Sequence, residues 1–122
     1  MKAIIKWNAE RNGVEIQTND EHFLIDATPS RVMSWRDAVR FYQNAGGWTL
    51  PTKKQLQLVA KHISEVNALL EQYGGYKLFG WHWSSDEADE FSAWYVNMRS
   101  GSTGSNYKYD YNYVRAVSAF QN

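Results

Sequence analysis

Lys2-Ala3-Ile4-Ile5-Lys6-Trp7 is rich in β-branched side chains, and Val14-Glu15-Ile16-Gln17 alternates apolar with polar positions. Between them Asn12-Gly13 is a strong turn signal, so the pattern predicts a hairpin. His22-Phe23-Leu24-Ile25 adds a short strand before Pro29 breaks the pattern, which makes residues 1–30 a hairpin or small meander. The period then changes. Trp35, Ala38, Val39 and Tyr42 form a stripe at helical spacing, with Ser34 and Asp37 as a weaker relative of a capping box and Gly46-Gly47 as the stop. A second helix starts at the Thr52/Gln55 capping-box pair behind Pro51 and turns Leu56, Val59, Ala60 and Ile63 inward. Ser64 to Tyr73 is helical as well, as a continuation or as a separate short helix, and Gly74-Gly75 ends it.

Beyond Gly75 the pattern returns to β. Lys77-Leu78-Phe79-Gly80-Trp81-His82-Trp83 leads into Ser84-Ser85, and the acidic residues Asp86, Glu87, Asp89 and Glu90 read as a loop. Ala93-Trp94-Tyr95-Val96-Asn97-Met98 reads as a strand ended by the segment from Ser100 to Ser105. Tyr107, Tyr109, Tyr111 and Tyr113 are separated by Lys108, Asp110 and Asn112, and a strand of period two puts all four rings on one face. Val114-Arg115-Ala116-Val117 closes the sheet. Strands, then helices, then strands, with no internal repeat or linker, predict a single α+β domain over residues 1–122.

Composition narrows the function classes. A chain of 122 residues suffices for one domain with one core. Its 13 Lys+Arg and 13 Asp+Glu cancel, which leaves no basic surplus for a phosphate backbone, so nucleic acid is not an expected partner. With no cysteine, disulfide frameworks, thiolate zinc sites and cysteine nucleophiles are excluded. No apolar run approaches the ~20 residues of a membrane-crossing helix, so no membrane role is expected. Ala3-Ile4-Ile5 is cut at once by Lys6, unlike a signal peptide, and the expectation is a cytoplasmic protein or part of an exported assembly or virion. The aromatic share of 16% at a mean hydropathy of −0.60 means that rings build the core or stand on the surface beside polar neighbours. Rigid recognition surfaces use rings in the second way.

Gly47-Trp48-Thr49-Leu50-Pro51-Thr52 with Leu56, then Trp83-Ser84-Ser85-Asp86-Glu87, then Ala93-Trp94-Tyr95-Val96-Asn97 with Gly101, then Tyr113-Val114-Arg115-Ala116-Val117 form four ordered blocks. Together they resemble a bacterial domain family that includes the C-terminal domain of a Legionella collagen-like adhesin, over roughly residues 34–118. That family is similar to C-type lectin-like folds, among them formylglycine-generating enzymes and the variable proteins of diversity-generating retroelements. The resemblance implies a C-type lectin-like fold, a twisted antiparallel sheet with two or three flanking helices and long loops that display a binding face. Formylglycine-generating relatives bind copper through cysteines, which this chain lacks, so that activity is not carried over. Trp48, Trp83 and Trp94 fall at element junctions and read as structural rings; Arg115 reads as a partly buried side chain tying loop carbonyls.

Catalytic constellations are sparse. His22, His62 and His82 lie in unrelated contexts, and no HExxH, GxSxG, P-loop or GxGxxG pattern occurs. Asp86, Glu87, Asp89 and Glu90 raise a calcium hypothesis, but their spacing matches no EF-hand loop and a solvated acidic loop is the better reading. No cofactor or metal is expected. The tyrosine alternation has two readings, an ordinary half-buried strand or an outward display surface. On the second, the expected ligand-binding residues are Trp81, Glu87, Asn97, Arg99, Ser105, Asn106, Tyr107, Tyr109, Asp110 and Tyr111. The leading expectation is a non-catalytic module that binds a surface glycan or a protein. The alternatives are a structural component of a phage particle or assembly, and a small hydrolase using Asp86 or Glu87 with His82.

Overall fold

The computed structural model describes residues 2–120. In chain order the elements are β1 (Ile4–Asn8), β2 (Gly13–Gln17), β3 (His22–Asp26), β4 (Arg31–Ser34), α1 (Trp35–Phe41), α2 (Lys53–Lys61), α3 (Ile63–Gln72), β5 (Trp81–Glu87), β6 (Ser92–Asn97), β7 (Thr103–Tyr107), β8 (Tyr111–Val114) and β9 (Val117–Ala119). Asn12 takes a left-handed φ of 54° next to Gly13 and reverses the chain between β1 and β2, and β3 completes the meander. The fourth strand of this antiparallel sheet, ordered β1-β2-β3-β9, comes from the far end of the chain, with Phe23 opposite Ala119 and Ile25 opposite Val117. Its buried face, Val14, Ile16, Phe23 and Ile25, packs with Leu56 and Val59 of α2 and Val66 and Leu70 of α3. Trp7 stacks on Tyr73 at 4.9 Å, which holds the end of α3 against β1.

The second sheet is ordered β4-β8-β5-β6-β7, antiparallel except where β5 runs parallel to β8 at His82 and Tyr113. Trp35 and Ala38 of α1 form a second core cluster with Leu50, Trp83, Ala93 and Val114. Among the described residues the architecture is therefore α+β with three helices and two sheets.

Both helix starts read from the sequence are present: Ser34 accepts from the Asp37 N–H, and Thr52 and Gln55 exchange bonds as a full capping box. Thr52→Ala removes one side of that box and costs about 1 kcal/mol of stability, measurable by urea unfolding. Several expectations are corrected. The first helix stops at Phe41, well before Gly46-Gly47. The second and third helices are separate, divided at His62, so Ile63 opens α3 rather than finishing α2. Lys77–Phe79 is not strand, because Asn67 of α3 satisfies both the N–H and the carbonyl of Leu78, and Gly80 turns with φ +76°. Asp86 and Glu87 end a bulged β5 rather than lying in a loop. Val114–Val117 does not close one sheet: Arg115-Ala116 passes the chain from β8 in the second sheet to β9 in the first. The strand β4 carries no alternation in sequence and forms because Arg31–Ser34 pairs with Tyr111–Val114.

Candidate functional site

Tyr107, Tyr109, Tyr111 and Tyr113 do not share one strand. Tyr107 ends β7, Tyr109 lies in the turn Lys108–Asp110, and Tyr111 and Tyr113 belong to β8, on the far side of β5 and β6 in the sheet. The turn exists because Lys108 is anchored from every side. Its ammonium reaches Glu87 at 2.6 Å and the Glu90 carbonyl at 2.8 Å and lies 4.9 Å from the Trp35 ring centroid, while its own carbonyl accepts from the Trp35 N–H at the start of α1. With Lys108 and Asn112 buried, the rings between and beside them point outward: Tyr107, Tyr109, Tyr111 and Tyr113 are 55%, 69%, 67% and 42% exposed. The display reading of the alternation is the one the geometry matches, although a turn interrupts the strand.

Two of these rings join residues far away in sequence. Tyr111 and Tyr113 of β8, Val32 of β4, and Gly80 and Trp81 at the start of β5 line a groove of about 350 Å³ together with Asn112. Trp81 is a supported platform: it stacks on Tyr95 of β6 at 4.9 Å, with an interplanar angle of 18°. Gly104 of β7 makes that stack possible, since a Cβ there would fall 2.6 Å from the Tyr95 Cζ. On the other side of Gly80, Asn97 and Arg99 border a second groove with Ile63, Asn67, Phe79 and Met98. Ten residues were expected at the site, and the structure divides them. Trp81 and Tyr111 share the first groove, and Asn97 and Arg99 share the second. Ser105, Asn106, Tyr107, Tyr109 and Asp110 lie on β7 and its following turn, and Glu87 is paired to Lys108. Val32, Phe79, Gly80, Asn112 and Tyr113 lie outside that expected set. Val32 and Phe79 belong to no periodic apolar pattern, and only their exposure of 57% and 64% marks them.

The hydrolase arrangement is not formed. His82 is fully buried, with Nδ1 facing the Gly80 carbonyl at 3.4 Å and Nε2 accepting from the Ser30 hydroxyl at 2.7 Å. Burial holds its pKa down to about 3; the Gly80 carbonyl opposes this shift and the nearby Arg115 charge adds to it. Asp86 instead accepts from the Lys53 N–H at the start of α2, and Asp89 accepts from the N–H groups of Phe91 and Ser92. The acidic residues thus cap a helix, hold a turn and pair with Lys108. Among the described residues no group of three His, Asp or Glu side chains is placed to hold a metal ion.

Arg115 ties loop carbonyls as read from its context. It donates to the Asp26 carbonyl at 2.8 Å, the Lys77 carbonyl at 3.2 Å and the Ser30 hydroxyl at 3.1 Å, and it is 2% exposed. Because Ser30 passes its own proton toward His82, one chain of bonds runs from Arg115 through Ser30 and His82 to Gly80, the floor between the two grooves. Trp83 is buried with its indole N–H on the Met33 carbonyl, whereas Trp94 is half-buried under Lys53 and Trp48 under Arg11.

The sequence model of the Lcl C-terminal domain matches residues 3–118, nearly the whole chain. The chain belongs to the Lcl C-terminal domain family. The match takes in the N-terminal meander of this Lcl C-terminal domain as well as the four blocks. The family is an adhesin-like bacterial domain. No curated protein matches the chain.

Proposed function

We propose that this Lcl C-terminal domain is a non-catalytic ligand-binding module of C-type lectin-like fold that holds a surface glycan in the groove lined by Trp81, Tyr111 and Tyr113. The observation that carries this reading is the Trp81 indole, exposed on one face and stacked on Tyr95 on the other. A flat ring held rigid from behind offers a sugar's C–H face a large contact at little entropic cost. Tyrosine hydroxyls at the rim supply donors and acceptors for sugar hydroxyls. Membership of an adhesin-like family agrees with a surface-binding role.

Trp81→Ala and Tyr111→Ala are each expected to weaken glycan binding roughly tenfold or more, the worth of one stacked ring, while both variants still unfold cooperatively and only Trp81→Ala loses the small stabilisation of the Tyr95 stack. Tyr109→Ala, outside the groove, leaves glycan affinity within about twofold on this reading. A glycan array followed by calorimetry on the hits measures both. Binding that survives loss of Trp81 and fails with Tyr109 moves the site to the β7–β8 turn. Hits from host-protein pull-down with an empty array replace the glycan by a protein ligand.

A further inference from the structure

Sheet edges are templates for pairing unless charge, proline or cover guards them. The edges here are β1, β9, β4 and β7. Lys6 sits at the centre of β1, Thr49 exchanges two backbone bonds with Val117 of β9, and Arg31 opens β4, which runs directly into α1. The sequence of β7 is Thr-Gly-Ser-Asn-Tyr, without charge or proline and in unbroken register with β6. Among the described residues, the backbone of Thr103–Asn106 makes no bond outside its ladder with β6. Alternate residues of such a strand direct their N–H and C=O groups away from the sheet, so β7 presents an open row to solvent.

We propose that β7 pairs with β7 of a second copy of this chain, antiparallel about a two-fold axis at Ser105, and so joins two five-stranded sheets into one. The strand is self-complementary in that register. Thr103 of each copy faces Tyr107 of the other, a favourable β-branched/aromatic cross-strand pair, and Gly104 faces Asn106. Charge agrees with the antiparallel choice. The exposed Asp89 and Glu90 sit in the turn at the Tyr107 end, and the exposed Arg99 sits in the turn at the Thr103 end. None of these three is in an ion pair within the described residues. Antiparallel docking brings each Arg99 to the acidic turn of the other copy, whereas parallel docking sets like beside like. The groove at Trp81 and Tyr111 lies toward the opposite edge and stays open, so a dimer presents two grooves and gains avidity on a repetitive surface. The pairing itself does not depend on what the groove binds.

Sedimentation equilibrium of the full chain tests this. A reversible dimer is expected, loosened by salt because the Arg99 contacts are exposed. Ser105→Lys and Ser105→Glu each put like charges face to face on the axis and weaken the dimer roughly tenfold or more, and an equimolar mixture of the two restores a heterodimer. Arg99→Glu weakens it as well, and circular-dichroism melts verify that all variants fold. A wild-type chain that stays monomeric up to about 1 mM overturns the proposal, as does a dimer indifferent to both Ser105 variants or a mixture that fails to associate.

Discussion

Arg115→Met is expected to lower the unfolding free energy by roughly 3–5 kcal/mol. The guanidinium is buried and joins three segments: the end of β3 through the Asp26 carbonyl, the segment after α3 through the Lys77 carbonyl, and the approach to β4 through Ser30. Among the described residues no second side chain donates to these acceptors, so each is left without this donor at about 1–3 kcal/mol. Methionine fills similar volume, so the loss reports the bonds rather than a void. Burial lowers the pKa of the guanidinium to about 10, opposed by Asp26 and Tyr42, so it is still charged at neutral pH. Arg115→Lys keeps the charge and one donor but cannot fork to three acceptors, and it falls between wild type and Arg115→Met. Urea unfolding at pH 7 ranks the three proteins; a methionine variant within about 1 kcal/mol of wild type removes Arg115 from its structural role.

Stability is expected to fall on acidification from about pH 6.5 because of His82. In the folded protein its pKa is about 3, against the ordinary 6.5 it regains on unfolding. Between those values the unfolded chain binds a proton that the folded chain does not, so each pH unit downward shifts the equilibrium about tenfold toward unfolding. Above pH 6.5 the imidazole is neutral in both states and contributes no slope. By pH 4 the accumulated loss is on the order of 3 kcal/mol. Glu15 behaves in the same direction but in another window. Burial raises its pKa, yet bonds from His22 and Asn8 and the charge of Lys6 outweigh that and hold it below the usual 4.5, so its stabilisation is lost only below that value. His82→Gln is expected to be less stable at pH 7, because Ser30 and the packed ring are disturbed, and to lose the slope between pH 6.5 and 4.5. Urea titrations at half-unit steps separate the two effects, and an unchanged slope in the variant assigns the acid sensitivity elsewhere.

Protonation of His82 also has a route to the groove. Tyr113 stacks against the His82 ring at 5.5 Å and itself lines the Trp81 groove. With a folded-state pKa of about 3 the imidazole charges in the folded protein only below that pH, so above it acid reaches the proposed glycan site through unfolding alone.

Individual residues show why some of this was legible and some was not. Asn12-Gly13, Ser34 and the Thr52/Gln55 box act within four residues of themselves, and each does locally what its chemistry requires. The outward aim of Tyr107, Tyr109, Tyr111 and Tyr113 was one of two open readings, decided by the burial of Lys108 and Asn112, whereas their alternation itself was readable. The break at Lys108 was not, since it depends on Glu87, Glu90 and Trp35, which lie far away in sequence. Nor did any period mark β4, whose pairing with β8 joins Val32 to Tyr113.

Sequence alone determined the α+β order, the helix starts, the N-terminal meander and the tying role of Arg115. Those follow from periodicity and from bonds that span a turn or less, or from the character of a residue's immediate neighbours. Tertiary structure decided which strands became neighbours, that β9 crosses to the first sheet, and that Trp81, Val32 and Tyr113 meet in one groove. Such pairings are set by how the whole chain buries its apolar faces at the least cost in loop closure, and no local window contains that balance.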